Sequence, residues 1–205
     1  MLPAKLTLSE EERELMMNAR FILTKNAVLE QMEGFFGQLC NRFREQVAKA
    51  GFSDAELFIT NPKISKGEQY QQLPWVMLDY PRLFSKTDTC AIRCFFWWGQ
   101  YWSITLQLSG RFLSEYQQDL VGFVNDRIDE PDWYVSAGDD PWRHDLHSEH
   151  YLPITAITQH YWQEERSYLK LAKKIPLEEW DQIVRLMEDN FSALIAILNH
   201  QAPRR

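Results

Sequence analysis

Cysteine is scarce and odd in number: Cys40, Cys90 and Cys94 are all that 205 residues contain. They have no metal-ligand spacing, and Cys90 and Cys94 would stand about 13 Å apart along an extended strand, too far to bridge. A disulfide scaffold and a paired-cysteine zinc site are therefore excluded. Glycine is also thin, with eight residues, and none of them builds a dinucleotide fingerprint, a P-loop or a Gly-x-Ser-x-Gly elbow. Gly34 and Gly37 lie inside a helical pattern and read as points of close backbone approach. No apolar run reaches the roughly 18 residues of a membrane span. The opening Met1-Leu-Pro-Ala-Lys-Leu-Thr-Leu-Ser9 runs straight into Glu10, Glu11 and Glu12, which is no leader pattern. Basic residues are in deficit, 22 against 29 acids, which argues against nucleic acid as a partner. These absences together describe a reduced, cytoplasmic protein that binds neither membrane nor nucleic acid.

What the chain does have is aromatic side chains, 14% of the total with 8 Trp, and an apolar content of 45% that can fill a real core. Ser9 and Glu12 form a capping box that opens a helix, with Leu15, Ala19 and Ile22 at helical spacing up to a break expected at Thr24-Lys-Asn26. A long one-faced helix follows on Val28, Met32, Phe35, Phe36, Leu39, Phe43 and Val47, closed by Gly51. Phe112, Leu113, Tyr116, Leu120, Phe123 and Val124 predict another, from about Gly110 to Asn125. Trp180, Ile183, Val184, Met187, Phe191, Leu194, Ile195 and Leu198 predict a C-terminal one.

Between the helices the period changes to two. Trp75 to Tyr80 reads as a strand opened by Pro74 and closed by Pro81, Thr89 to Ser109 as a hairpin, and Tyr168 to Ala172 as a further strand. A two-residue turn at Gly99-Gln100 would set Arg93 opposite Leu106 on the apolar face, and burying an unpaired charge costs several kcal/mol. A three-residue loop pairing Trp98 with Trp102 instead gathers Ile92, Cys94, Phe96, Trp98, Trp102, Ile104, Leu106 and Leu108 on one face. The other face then carries Arg93 opposite Gln107, with Phe95, Trp97 and Tyr101. The whole predicts a single α+β domain over residues 1–205, an antiparallel sheet packed against long N- and C-terminal amphipathic helices.

The hairpin block, Leu73-Pro-Trp-Val-Met-Leu-Asp-Tyr-Pro-Arg-Leu-Phe84 followed by Phe95-Phe-Trp-Trp-Gly99, resembles an uncharacterised family of small soluble bacterial proteins. The resemblance covers about a quarter of the chain, and since that family has no assigned function it implies no activity.

Two segments can carry function. One is the polar hairpin face: Arg93, Phe95, Trp97, Tyr101 and Gln107 can hold an anionic or planar group by charge and stacking, if the face is open. Covered, the same residues are a second core layer with Arg93 paired to a carboxylate such as Asp79. The other is the acidic irregular segment at about 126–152, rich in turn residues, with one short strand expected at Trp133-Tyr-Val135. Its residues 126–150 hold eight acids against two arginines, so six of the seven net negative charges sit there. Within it, His144, His147 and His150 stand beside Asp139, Asp140, Asp145 and Glu149, all divalent-metal ligands. At i, i+3 and i+6 the three histidines would fan about 60° to either side of the middle one on a helix, which matches no established metal motif. The alternative is a solvated acidic loop. Asp79 beside Tyr80, and His160, are further candidates for a site assembled from distant positions.

The expected function is a non-enzymatic module that binds a protein or small molecule without a cofactor. Its alternative is a metal-dependent, hydrolase-like enzyme using the His144, His147 and His150 cluster with a divalent metal. A homo-oligomer in which a second copy buries exposed aromatics is the third possibility.

Overall fold

The computed structural model describes residues 7–52, 56–147 and 149–199; residues 1–6, at the head of the segment read for leader character, lie outside them. Seven strands form one antiparallel sheet in the order β1-β2-β3-β4-β7-β5-β6. They are β1 Lys63–Tyr70, β2 Leu73–Phe84, β3 Thr89–Trp97, β4 Tyr101–Ser109, β5 Trp133–Ser136, β6 Tyr151–Pro153 and β7 Tyr168–Ile175. Five helices accompany them: α1 Glu10–Met17, α2 Ala19–Lys49, α3 Arg111–Asp126, α4 Gln159–Gln163 and α5 Ile183–Ile197. The α+β arrangement with helices at both ends is as the periodicity predicts.

The hairpin loop has three residues but begins one position early. Trp97 pairs with Tyr101, and Arg93 faces Thr105 rather than Gln107. Gly99 takes the turn at φ +68°, and the Trp98 N–H donates to the Pro74 carbonyl at 3.0 Å, so Trp98 leaves the β3–β4 ladder. A slip of two residues preserves the parity that decides faces. Cys90, Ile92, Cys94, Phe96, Trp102, Ile104, Leu106 and Leu108 all enter one core, capped by the apolar stripes of α2, α3 and α5.

All six apolar positions expected on α3 are buried. On α2 the buried stripe is Leu29, Met32, Phe36, Leu39, Cys40, Phe43 and Val47. Its far end closes as a Schellman motif: Gly51, at φ +83°, donates to Ala48 and Phe52 donates to Val47. At the other chain end, Trp180 and Val184 are exposed, not core. The turn preceding α5, Leu177–Gln182, is a 3-10 segment broken at Glu179, which changes the rotational phase that the periodicity assumed.

Other expectations need correction. The break between the first helices falls at Asn18, whose side chain accepts from the Phe21 N–H, and Thr24-Lys-Asn26 stays helical. Gly34 and Gly37 approach nothing closely, since a methyl group at either would meet no atom within 4 Å. Pro74 and Pro81 lie within β2 instead of bounding it. The Tyr80–Pro81 peptide is cis, and the β2–β3 register shifts between Asp79 and Arg82, so Pro81 sits where the ladder is already interrupted. Strand β1 carries no apolar alternation because it is an edge, guarded by Lys63 and Lys66. The segment 126–152 contains the one short strand expected of it, β5, and its end enters a second, β6.

Candidate functional site

Alternation along β2, β3, β4 and β7 places Asp79, Arg93, Phe95, Trp97, Tyr101, Thr105, Gln107 and Lys170 on the sheet face opposite the helices. Every one of them is buried. Among the described residues no helix covers them; the chain's own segment between β5 and β6 does. Leu146 from that segment packs on a second apolar cluster of Met77, Phe95, Trp97 and Tyr101, flanked by Tyr70, Leu73 and Trp75. The aromatic hairpin face is a second core layer.

The cover is fastened by hydroxyls and cations. Tyr70 donates to Asp145 Oδ1 at 2.5 Å and accepts from the backbone N–H groups of His144 at 2.7 Å and Asp145 at 3.1 Å. Tyr101 accepts from the Leu146 N–H at 2.7 Å and donates to the His144 carbonyl at 3.2 Å. Tyr151 donates to the Arg143 carbonyl at 3.1 Å. Lys170 Nζ donates to the carbonyls of Arg143 and of Pro141, the latter at 3.1 Å. Orphan backbone groups of an irregular segment are thus satisfied by side chains of the sheet, which is what allows that segment to lie against a buried surface.

Beneath the cover the charges pair. Arg93 donates to both Asp79 oxygens, at 2.7 and 3.1 Å, the planar bidentate geometry that makes such a pair strong. Its Nη1 lies 3.0 Å from His144 Nε2. Because a guanidinium can only donate, Nε2 is the acceptor and the imidazole is neutral. Burial, with Lys170 and Arg93 nearby, holds His144 well below its usual range. Burial also brings Lys170 down to about 7, helped by Arg93 and opposed by Asp140 and Asp145. Tyr70 is pushed up to about 12, first by burial and then by Asp145.

The three histidines go separate ways. His144 is turned inward to Arg93, His147 is exposed, and His150 Nε2 lies 3.6 Å from Asp145 Oδ2. Among the described residues no group of three or more His, Cys, Asp or Glu side chains is placed to hold a metal ion. His160 is a surface residue 3.6 Å from Glu164. Asp79 serves Arg93, and the neighbouring Tyr80 faces the helix-side core. Of the residues the sequence singled out, the structure brings Asp79, Arg93, Phe95, Trp97, Tyr101 and His144 together under the cover. Tyr70, Asp145, Tyr151 and Lys170 belong with them. Lys170 had a signal, since Leu169 and Leu171 on either side of it in a strand place it on the Arg93 face.

A second feature lies at the N-terminus. None of α1 is buried, and α2 has no buried residue before Leu29. Leu15, Met16, Met17, Phe21, Ile22 and Leu23 are all exposed, six large apolar side chains within nine residues. Leu15, Ala19 and Ile22 are helical as their spacing predicts, and none of them is buried. Single exposed apolar residues are ordinary, whereas a contiguous group marks an interaction site.

No family model matches the chain, and no curated protein or solved structure matches it either. Among the described residues, no helix is long and apolar enough to cross a membrane.

Proposed function

We propose that this chain is a non-enzymatic protein-binding module whose contact element is the N-terminal helical arm, residues 9–25. The observation that carries this reading is the unburied run Leu15 to Leu23, on helices that belong to an otherwise well-packed molecule. The aromatic sheet face supports a ligand site less well, because the chain's own segment fills the space a small molecule would need. A lipid surface fits the arm poorly: interfacial helices carry Lys and Arg on the polar side, and this arm begins Glu10, Glu11, Glu12, Arg13, Glu14. A protein surface accepts both the apolar residues and the carboxylates.

A photo-crosslinking amino acid at Ile22 tests the reading in living cells, with the exposed position Gln118 on α3 as control. The expected result is a discrete crosslinked band from position 22 that position 118 does not give. The same smear from both positions, or no product from 22, overturns it.

A further inference from the structure

The arm and the core share one helix, and their relation says what covers the arm. Ile22, Leu29, Phe36 and Phe43 stand seven residues apart on α2, which puts them on one side of the helix. Leu29, Phe36 and Phe43 are buried against the sheet, and Ile22 is half exposed. The seam that packs α2 onto the core thus runs on past the sheet edge. Lys25, tied to Glu68 of β1 at 2.7 Å, marks where the sheet ends. Residues 19–24 of α2, under two turns, overhang, and α1 continues from them around the Asn18 bend.

Resting on the reading of the arm as a contact element, we infer that its partner is a second copy of this chain, the two arms associating antiparallel about a two-fold axis near Met16 and Met17. Charge supports this. The arm is polarised, with Glu10, Glu11, Glu12 and Glu14 toward one end and Arg20 toward the other, Lys25 being engaged by Glu68, so an antiparallel copy sets acids against Arg20 twice. A parallel arrangement would stack the glutamates on one another. The axis falls at the arm's most exposed apolar residues, Met17 and, equal with Leu23, Met16, whose unbranched side chains adapt to self-packing.

Area sets the strength. Taking roughly 200 Å² for each large apolar residue, the six exposed ones offer about 700 Å² per arm, and because they lie in two consecutive runs around the helices a single facing copy covers only part of it, which places the contact among weak interfaces. The isologous contact is closed, so it yields a dimer and no filament.

Sedimentation of the full chain from about 1 to 300 μM tests this. The expected outcome is a monomer–dimer equilibrium with a dissociation constant inside that range. Ile22→Glu should shift it at least tenfold toward monomer while the circular dichroism and melting of the body are unchanged, since the residue lies outside the core. Charge exchange reads the antiparallel geometry: Arg20→Glu and Glu14→Arg should each weaken the dimer at least threefold, and the double exchange should restore it. A dimer untouched by Ile22→Glu, or charge variants that add without restoration, overturns the proposed contact.

A monomer throughout also overturns it, and hydrogen exchange then separates this inference from the one it rests on. Fast exchange over residues 10–25 in that monomer leaves a free arm and removes only the second copy. Slow exchange there shows the arm packed on its own body, and both readings fall.

Discussion

Replacing Arg93 with Met measures what holds the covered sheet face together. Asp79 is buried, with both carboxylate oxygens on Arg93. Arg93→Met therefore leaves a carboxylate out of water without its cation, a defect that costs about 3–5 kcal/mol. With a urea m-value near the upper end of the usual 1–3 kcal/mol/M for a chain of this length, the midpoint should fall by about 1–1.5 M. Adding Asp79→Leu to Arg93→Met removes the stranded charge and should recover most of the stability, because a buried pair contributes little net beyond what its unpairing costs. Urea titration of the three proteins at pH 7.5 decides the matter. A single-variant loss under 1 kcal/mol, or a double variant no better than the single, refutes the buried-pair reasoning.

Lys170 gives a pH signature. Its pKa drops from 10.5 to about 7 on folding, so stability falls as pH is lowered from about 10.5 to 7 and then levels; Lys170→Met should abolish that slope in melting curves taken from pH 7 to 10. His144, lowered well below 6.5, adds a separate loss as pH drops through the range below 6.5, which His144→Gln should remove. Tyr101→Phe deletes the acceptor of the Leu146 N–H, so that amide should exchange at least tenfold faster while α5 amides stay unchanged. Gly34→Ala on α2 meets no neighbour and should stabilise by about 0.5–1 kcal/mol, read as a higher urea midpoint; a destabilised variant would reveal a close approach at that helix face.

Strong periodicity made the helices legible: all six apolar positions of α3 are buried as spaced, and the parity argument sorted the β3–β4 hairpin faces correctly despite a two-residue slip. The same argument found Arg93 unsuited to the helix-side core. What it could not reach was the cover. Segment 137–147 has no period of its own, and its placement depends on Tyr70, Tyr101, Tyr151 and Lys170, which come from four different strands. Strand β1 escaped because an edge strand with charged residues has no alternation to read. The arm is legible only as helix. Leu15, Ala19 and Ile22 have helical spacing, and spacing records that a face is apolar without recording what lies across from it. Trp180 failed on phase, because one 3-10 turn advances side chains by 120° per residue instead of 100°.

The length of α2 joins two events that are separate in most binding proteins. Residues 19–24 stand clear of the body and residues 29–49, nearly six turns, form part of the core wall, yet the backbone hydrogen bonds run through without a break. A partner that grips Phe21 and Ile22 can do so only while those turns are helical, so occupancy of the arm draws on the same helix–coil equilibrium that the body anchors from Leu29 onward. By linkage, saturating the arm must raise the protection of the α2 amides just ahead of Leu29, and loosening the body must weaken the grip.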